Sequence, residues 1–212
     1  MSLADLFLSA FVALFVIADP VGTASIFAVL TRNMKNAQSR RIAVKAGVMA
    51  TIILVVFGFV GTWLLNILGI SVAAFRIAGG LLLFVTAFRM IVGFHDPDQL
   101  ESEKSAYGKN SGNDDSIAVF PLAIPLLAGP GCMTAVVLHM TTASGDLSAK
   151  AIVILAVLLV QGLSILTMLG SSKVIRAVGE TGSSLIARIM GILLAALSIQ
   201  FVADGLKAIF EL

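Results

Sequence analysis

The chain has 212 residues, of which 58% are hydrophobic and 12% charged, with a formal net charge of +2. A soluble domain carries about a quarter charged residues, so this chain has too little charge to cover a water-facing surface of its size. Soluble α/β enzymes, nucleic-acid-binding domains and disulfide scaffolds fit poorly, and the lone Cys132 has no internal partner.

Six apolar runs of 19 to 25 residues follow in chain order: Leu6–Leu30, Ala46–Leu68, Ala73–Phe94, Ile117–Leu138, Ala151–Gly170 and Leu185–Ala203. A helix needs about 20 apolar residues to cross a ~30 Å hydrocarbon core. The short alternating strands of an outer-membrane barrel are not seen. The expected fold class is therefore all-α, with six transmembrane helices and no extramembrane domain. The first run does not read as a cleaved signal peptide, because the first basic residue, Arg32, comes after it.

Basic residues alternate between the loops. Eleven of the fourteen lie in or beside loops 31–41, 95–116 and 171–184: Arg32, Lys35, Arg40, Arg41, Lys45, Arg89, Lys104, Lys109, Lys173, Arg176 and Arg188. Only Arg76, Lys150 and Lys207 fall on the other side. The positive-inside rule places the three basic loops in the cytoplasm and both termini in the periplasm. Loop 95–116 is also acidic and holds Gly, Ser and Asn around Gly108–Asn113, so it reads as a linker between two halves.

Those halves, 1–94 and 117–212, resemble each other. Asp19-Pro20-Val21-Gly22-Thr23-Ala24-Ser25 interrupts the first run, and Gly129-Pro130-Gly131-Cys132-Met133-Thr134-Ala135 interrupts the fourth, with the prolines 110 residues apart. Arg76-Ile77-Ala78-Gly79 matches Arg188-Ile189-Met190-Gly191 at an offset of 112. Three helices per half is an odd number, so the second half enters the membrane from the opposite side. Inverted repeats with paired broken helices point to a secondary transporter and its binding site.

Proline breaks a helix but suits the first position of a new one. Each break therefore reads as a half-helix N-terminus near the midplane, with free N–H groups and a positive dipole end. Such ends attract an anion, for instance a solute carboxylate. Asp19, Pro20, Gly22, Thr23 and Ser25 at the first break, with Gly129, Pro130, Gly131 and Thr134 at the second, are the expected substrate-binding residues. Their structural alternative is a pair of kinks used for packing. Asp19 is an acidic residue at membrane depth, which suggests a role in proton or cation handling or, structurally, an N-cap. Arg76 and Arg188 are candidates for gating or ion pairing, although snorkelling to the interface is the simpler account. Gln161, Ser164 and Thr167 form a polar stripe that either lines the path or bonds neighbouring helices. No enzyme motif, phosphate-binding loop or metal-ligand cluster is found, and His95 and His139 lie near opposite helix ends.

Asp19-Pro20-Val21-Gly22, Gly69-Ile70-Ser71, Phe75-Arg76-Ile77-Ala78-Gly79-Gly80 and Pro121-Leu122-Ala123-Ile124-Pro125-Leu126-Leu127-Ala128-Gly129-Pro130-Gly131 resemble the MarC family of six-helix neutral amino acid transporters. The resemblance covers essentially the whole chain. It implies a bacterial or archaeal inner-membrane protein with two inverted halves that moves small neutral amino acids such as alanine or glycine. The family's first motif often carries Asn where this chain has Asp19, which favours a capping or polar-contact role there.

The sequence thus predicts a multi-pass inner-membrane secondary transporter for small neutral amino acids or similar small polar solutes. No metal or bound cofactor is expected, and H+ and Na+ stand as candidate coupling ions. The expected partners are the lipid bilayer and a small-molecule solute, not nucleic acid. The alternative is a non-transporting scaffold or sensor subunit, with a partner-dependent channel as a third reading.

Overall fold

A computed structural model of the protein describes residues 2–32, 34–92 and 117–210, without the side chains of 172, 174–181 and 183. The expected linker 95–116 lies outside the described residues. Within them the fold is all-helical: α1 (Leu3–Ala18), α2 (Pro20–Leu30), α3 (Asn36–Ile67), α4 (Val72–Val92), α5 (Ala118–Leu127), α6 (Pro130–Thr142), α7 (Leu147–Leu169) and α8 (Ser171–Phe210). α1 and α2 together form one apolar span, and α3, α4, α7 and α8 each contain another. α5 and α6 make a further pair, bent by 52° at the break between them, so the spans number five, or six if that pair crosses the membrane.

Two expected loops are largely helix. α3 begins at Asn36 and takes in Arg40, Arg41 and Lys45, and α8 begins at Ser171 although its apolar span starts only at Ser184. Hydropathy senses where a helix meets lipid, whereas helical hydrogen bonding continues into water until a breaker stops it. No proline lies in 36–45 or 171–184, so the strongest helix breaker is missing at both places.

The packing follows from the solvent. Large apolar side chains such as Phe59, Trp63, Phe88, Leu158, Leu166 and Ile192 point outward, where lipid receives them. The interior is rich in small residues, including Ala10, Ala43, Ala46, Ala50, Ala87, Ala123 and Ala135. Lipid gives no hydrophobic drive between helices, so close backbone approach and dense contact hold the bundle. α6 is the most enclosed element, with Cys132 and every residue from Thr134 to Leu138 buried.

The most extensive helix–helix contact is between α4 and α8. A Cβ at Gly80 would meet the Ser198 carbonyl at 2.8 Å, one at Gly191 the Ala87 carbonyl at 3.2 Å, and one at Gly205 the Ala73 carbonyl at 2.9 Å. Contact positions rise along α4 as they fall along α8, so the two helices run antiparallel. Among the other contacts is a cross-pattern: α1 and α2 pack on α7, while α5 and α6 pack on α3; α3 also packs on α7, α2 on α8, and α4 and α1 on α6.

Gly80→Val places two methyls against backbone that cannot rotate away. The expected cost is roughly 1–3 kcal/mol, seen as a fall of several degrees in the Tm of the detergent-solubilised protein. Gly162→Ala, where a Cβ meets nothing within 4 Å, leaves Tm unchanged or slightly raised.

Candidate functional site

The first break is one residue long. Pro20 has no N–H, and its ring disfavours the right-handed helical conformation at the residue before it. Asp19 accordingly turns left-handed, with φ 39° and ψ 73°, a region that Asp and Asn tolerate better than most side chains. Its N–H donates to the Phe15 carbonyl at 3.1 Å and closes α1. Its Oδ1 accepts from the Gly22 N–H at 3.1 Å and opens α2. A Cβ at Gly22 would collide with the Asp19 carboxylate, so only glycine leaves room for this cap.

The second break is longer and built differently. Phe120 and Ile124 each precede a proline and are extended, at φ −131°, ψ 127° and φ −127°, ψ 125°. α5 therefore consists of wide π-type turns interrupted twice. It ends at Ala128, whose N–H donates to the Ala123 carbonyl at 2.8 Å. Gly129 then starts α6 with Pro130 at its first position and no side-chain cap. The two breaks thus differ at the helix N-terminus: the Asp19 carboxylate already caps α2, and no side chain caps α6.

The structure brings the breaks together. A Cβ built on Gly131 would lie 3.1 Å from the Ile17 methyl, two residues before Asp19, and would also press on Leu83. Pro20, Gly129 and Gly131 are buried, Gly22 is half-buried, and Pro125 and Pro130 are exposed, so the second break opens to the protein surface on one side. The predicted hydroxyls are engaged by nearby backbone carbonyls, Thr23 across the first break and Ser25 and Thr134 within their own helices. Thr23 donates to the Ala18 carbonyl at 3.0 Å, Ser25 to Val21 at 3.1 Å and Thr134 to Pro130 at 2.8 Å. Thr134 also packs on Gly79 of α4, where any side chain would strike it.

Arg76 and Arg188 do not join this cluster. Arg76 is half-buried near the start of α4 and Arg188 is exposed near the start of the apolar span of α8. Because these helices are antiparallel, Arg76 lies near the C-terminal end of α8 and Arg188 near the C-terminal end of α4. The two are separated by at least the 15 residues from Arg76 to Ile91, about 22 Å of helix. His139 is used structurally: its Nδ1 donates to the Ala135 carbonyl at 2.8 Å, leaving Nε2 to accept from Ser9 at 3.3 Å and tie α6 to α1.

What the sequence left open was the polar stripe of α7, whose partners are now visible. The Thr167 hydroxyl reaches the Pro20 carbonyl at 3.0 Å, and the Gln161 Nε2 donates to the Leu127 carbonyl at 3.0 Å. One face of one helix therefore holds both breaks, at positions about 9 Å apart along its axis. Ser164, between them, donates to Val160.

The cap assigned to Asp19 makes a stability prediction. Asp19→Asn keeps an acceptor and tolerates the left-handed turn, so Tm stays close to wild type. Asp19→Ala loses the cap, about 1 kcal/mol, and strains the turn by roughly 1–2 kcal/mol more. A fall in Tm for Asp19→Ala alone, measured in detergent, is the expected pattern.

Three relatives are similar over nearly the whole chain. A UPF0056 membrane protein from Methanocaldococcus jannaschii is 37% identical over 95% of this chain and 96% of its own length. One from Archaeoglobus fulgidus is 36% identical over 94% and 92%, and one from Buchnera aphidicola subsp. Schizaphis graminum is 35% identical over 98% and 94%. No solved structure matches. The family model described as "MarC family integral membrane protein" matches residues 4–210, a stretch that takes in both breaks and the helix that holds them. With its apolar spans and these full-length relatives, the chain belongs to the MarC family of multi-pass integral membrane proteins.

Proposed function

We propose that this protein is a secondary transporter of the inner (plasma) membrane that moves small neutral amino acids or similar small polar solutes by alternating access. The observation that carries the reading is the meeting of the two chain breaks, Gly131 against Ile17, in the interior of an apolar bundle. Irregular backbone at membrane depth is sustained only where protein or a wet cavity serves its polar groups. Two such irregularities placed together mark a binding region rather than two separate kinks.

The packing supports an inverted repeat. Exchanging the spans of the first half for those of the second turns the contact of α1–α2 with α7 into that of α5–α6 with α3. The same exchange maps the antiparallel α4–α8 contact onto itself. This relation is that of a two-fold axis in the membrane plane. In this reading both termini are periplasmic, and the basic segments at 31–41, 95–116 and 171–184 are cytoplasmic. The driving gradient is H+ or Na+, and no bound cofactor takes part.

One observation favours a second reading, a non-transporting scaffold or sensor subunit. Thr23 and Thr134 are buried and bonded to backbone carbonyls beside the breaks, Ala18 of α1 and Pro130 of α6, as expected of kinks used for packing. In a transporter the same arrangement is the occluded state.

Counterflow in proteoliposomes separates the readings. Saturable exchange of labelled alanine, glycine or serine that responds to an imposed H+ or Na+ gradient is expected. Pro20→Ala combined with Pro130→Ala, which removes the proline that restarts the helix at each break, is expected to cut it at least tenfold. Absence of exchange for every amino acid by folded, inserted protein contradicts the amino acid reading, and absence for other small polar solutes as well contradicts transport.

A further inference from the structure

We infer that the solute is held at the second break alone, with the Gln161 carboxamide accepting its ammonium group and the α6 N-terminus receiving its carboxylate. This rests on the transporter reading and sharpens it, because two equivalent half-helix ends are no longer required.

Three observations carry the inference. The first is the unequal capping. The Gly22 N–H of α2 donates to the Asp19 carboxylate, so that end already has its anion. α6 starts from Gly129, which has no side chain to offer, and Pro130, which has no N–H. Its next amides, those of Gly131 and Cys132, are the donors that an incoming carboxylate would meet.

The second is Gln161 itself. It is 1% exposed, and its Oε1 has no hydrogen-bond partner among the described residues. Exchanging the two carboxamide atoms does not remove the vacancy. The Leu127 carbonyl can only accept, so the atom facing it at 3.0 Å must be the nitrogen, and the oxygen must face elsewhere. A buried acceptor without a donor is destabilising, a cost that a donor-bearing ligand removes.

The third is placement. Leu127 is two residues before Gly129, so the unpartnered acceptor is anchored beside the uncapped helix end. A zwitterion presents one group with N–H donors and one anionic acceptor on adjacent atoms. The second break offers the complement of both, and Pro125 and Pro130 beside it are exposed at the protein surface. The first break offers neither: Asp19 fills the helix end, and the Thr167 hydroxyl is spent on the Pro20 and Ser164 carbonyls.

The test uses the reconstituted full chain, with alanine and N,N,N-trimethylalanine, whose quaternary nitrogen carries no N–H, as competitors of labelled alanine exchange. Wild type is expected to prefer alanine at least tenfold, because methylation strips the donors that Oε1 accepts from. Gln161→Met removes the acceptor and is expected to weaken alanine at least tenfold while abolishing the preference. Gln161→Glu keeps an acceptor and is expected to keep the preference, which guards against a Met variant that fails to fold. A loss of flux with the preference intact would mark Gln161 as merely structural and overturn the inference. So would a wild type that binds both competitors equally, and in either case the transporter reading stands. Absence of exchange in wild type overturns both the inference and the amino acid reading.

Discussion

Everything in this structure depends on backbone groups that have no water to turn to. In hydrocarbon an unpaired N–H or C=O costs several kcal/mol, so a chain may leave the helix there only where something else serves the exposed groups. This chain leaves it twice. The Asp19 side chain serves the first departure from within, and α7 serves both from outside, through Thr167 at Pro20 and Gln161 at Leu127. α7 therefore ties two breaks from different halves of the chain into one region. Any rotation or shift of α7 acts on both at once, which is the mechanical coupling that the proposed alternating access needs.

The same constraint explains the interior. Close approach of α4 and α8 at Gly80, Gly191 and Gly205 and the alanine-rich core set backbone against backbone, where dispersion and shape replace the missing hydrophobic drive. α6 sits within this packing on nearly all sides, yet its first turn is reached from the surface at Pro130. The most enclosed helix thus begins at a partly open point. A solute bound there would touch α6 and α7 and lie near Ile17 and Leu83, and so would contact elements of both halves.

Much of this was legible in the residues. Outside the two breaks and the terminal residues Leu68 and Gly170, each apolar run recurs as helix where the structure describes it, because about 20 residues with little charge have few other fates. Asp19-Pro20 and Gly129-Pro130 announced where helices restart, since proline acts locally and needs no tertiary context. The difference between the breaks was also written there, as Asp against Gly at the capping position. Less legible were the helix ends: α3 and the start of α8 run past their apolar stretches because charged residues are good helix formers in water. The partners of Gln161 and Thr167 could not be read at all. A stripe spaced i, i+3, i+6 fixes which side chains share a face, and only packing decides what that face meets. For the same reason Arg76 and Arg188, matched in sequence, proved to lie at opposite ends of one antiparallel pair.

The central claim is that the meeting point of the breaks faces each side of the membrane in turn. Cysteine accessibility tests it directly, in a Cys132→Ser background carrying Thr134→Cys, with Leu147→Cys at an 82% exposed position as the reactive control. A membrane-impermeant maleimide applied to oriented vesicles is expected to label position 134 from both faces, more slowly when alanine is present. Labelling from one face only, or from neither while the control reacts, would contradict the account and leave the breaks as packed kinks.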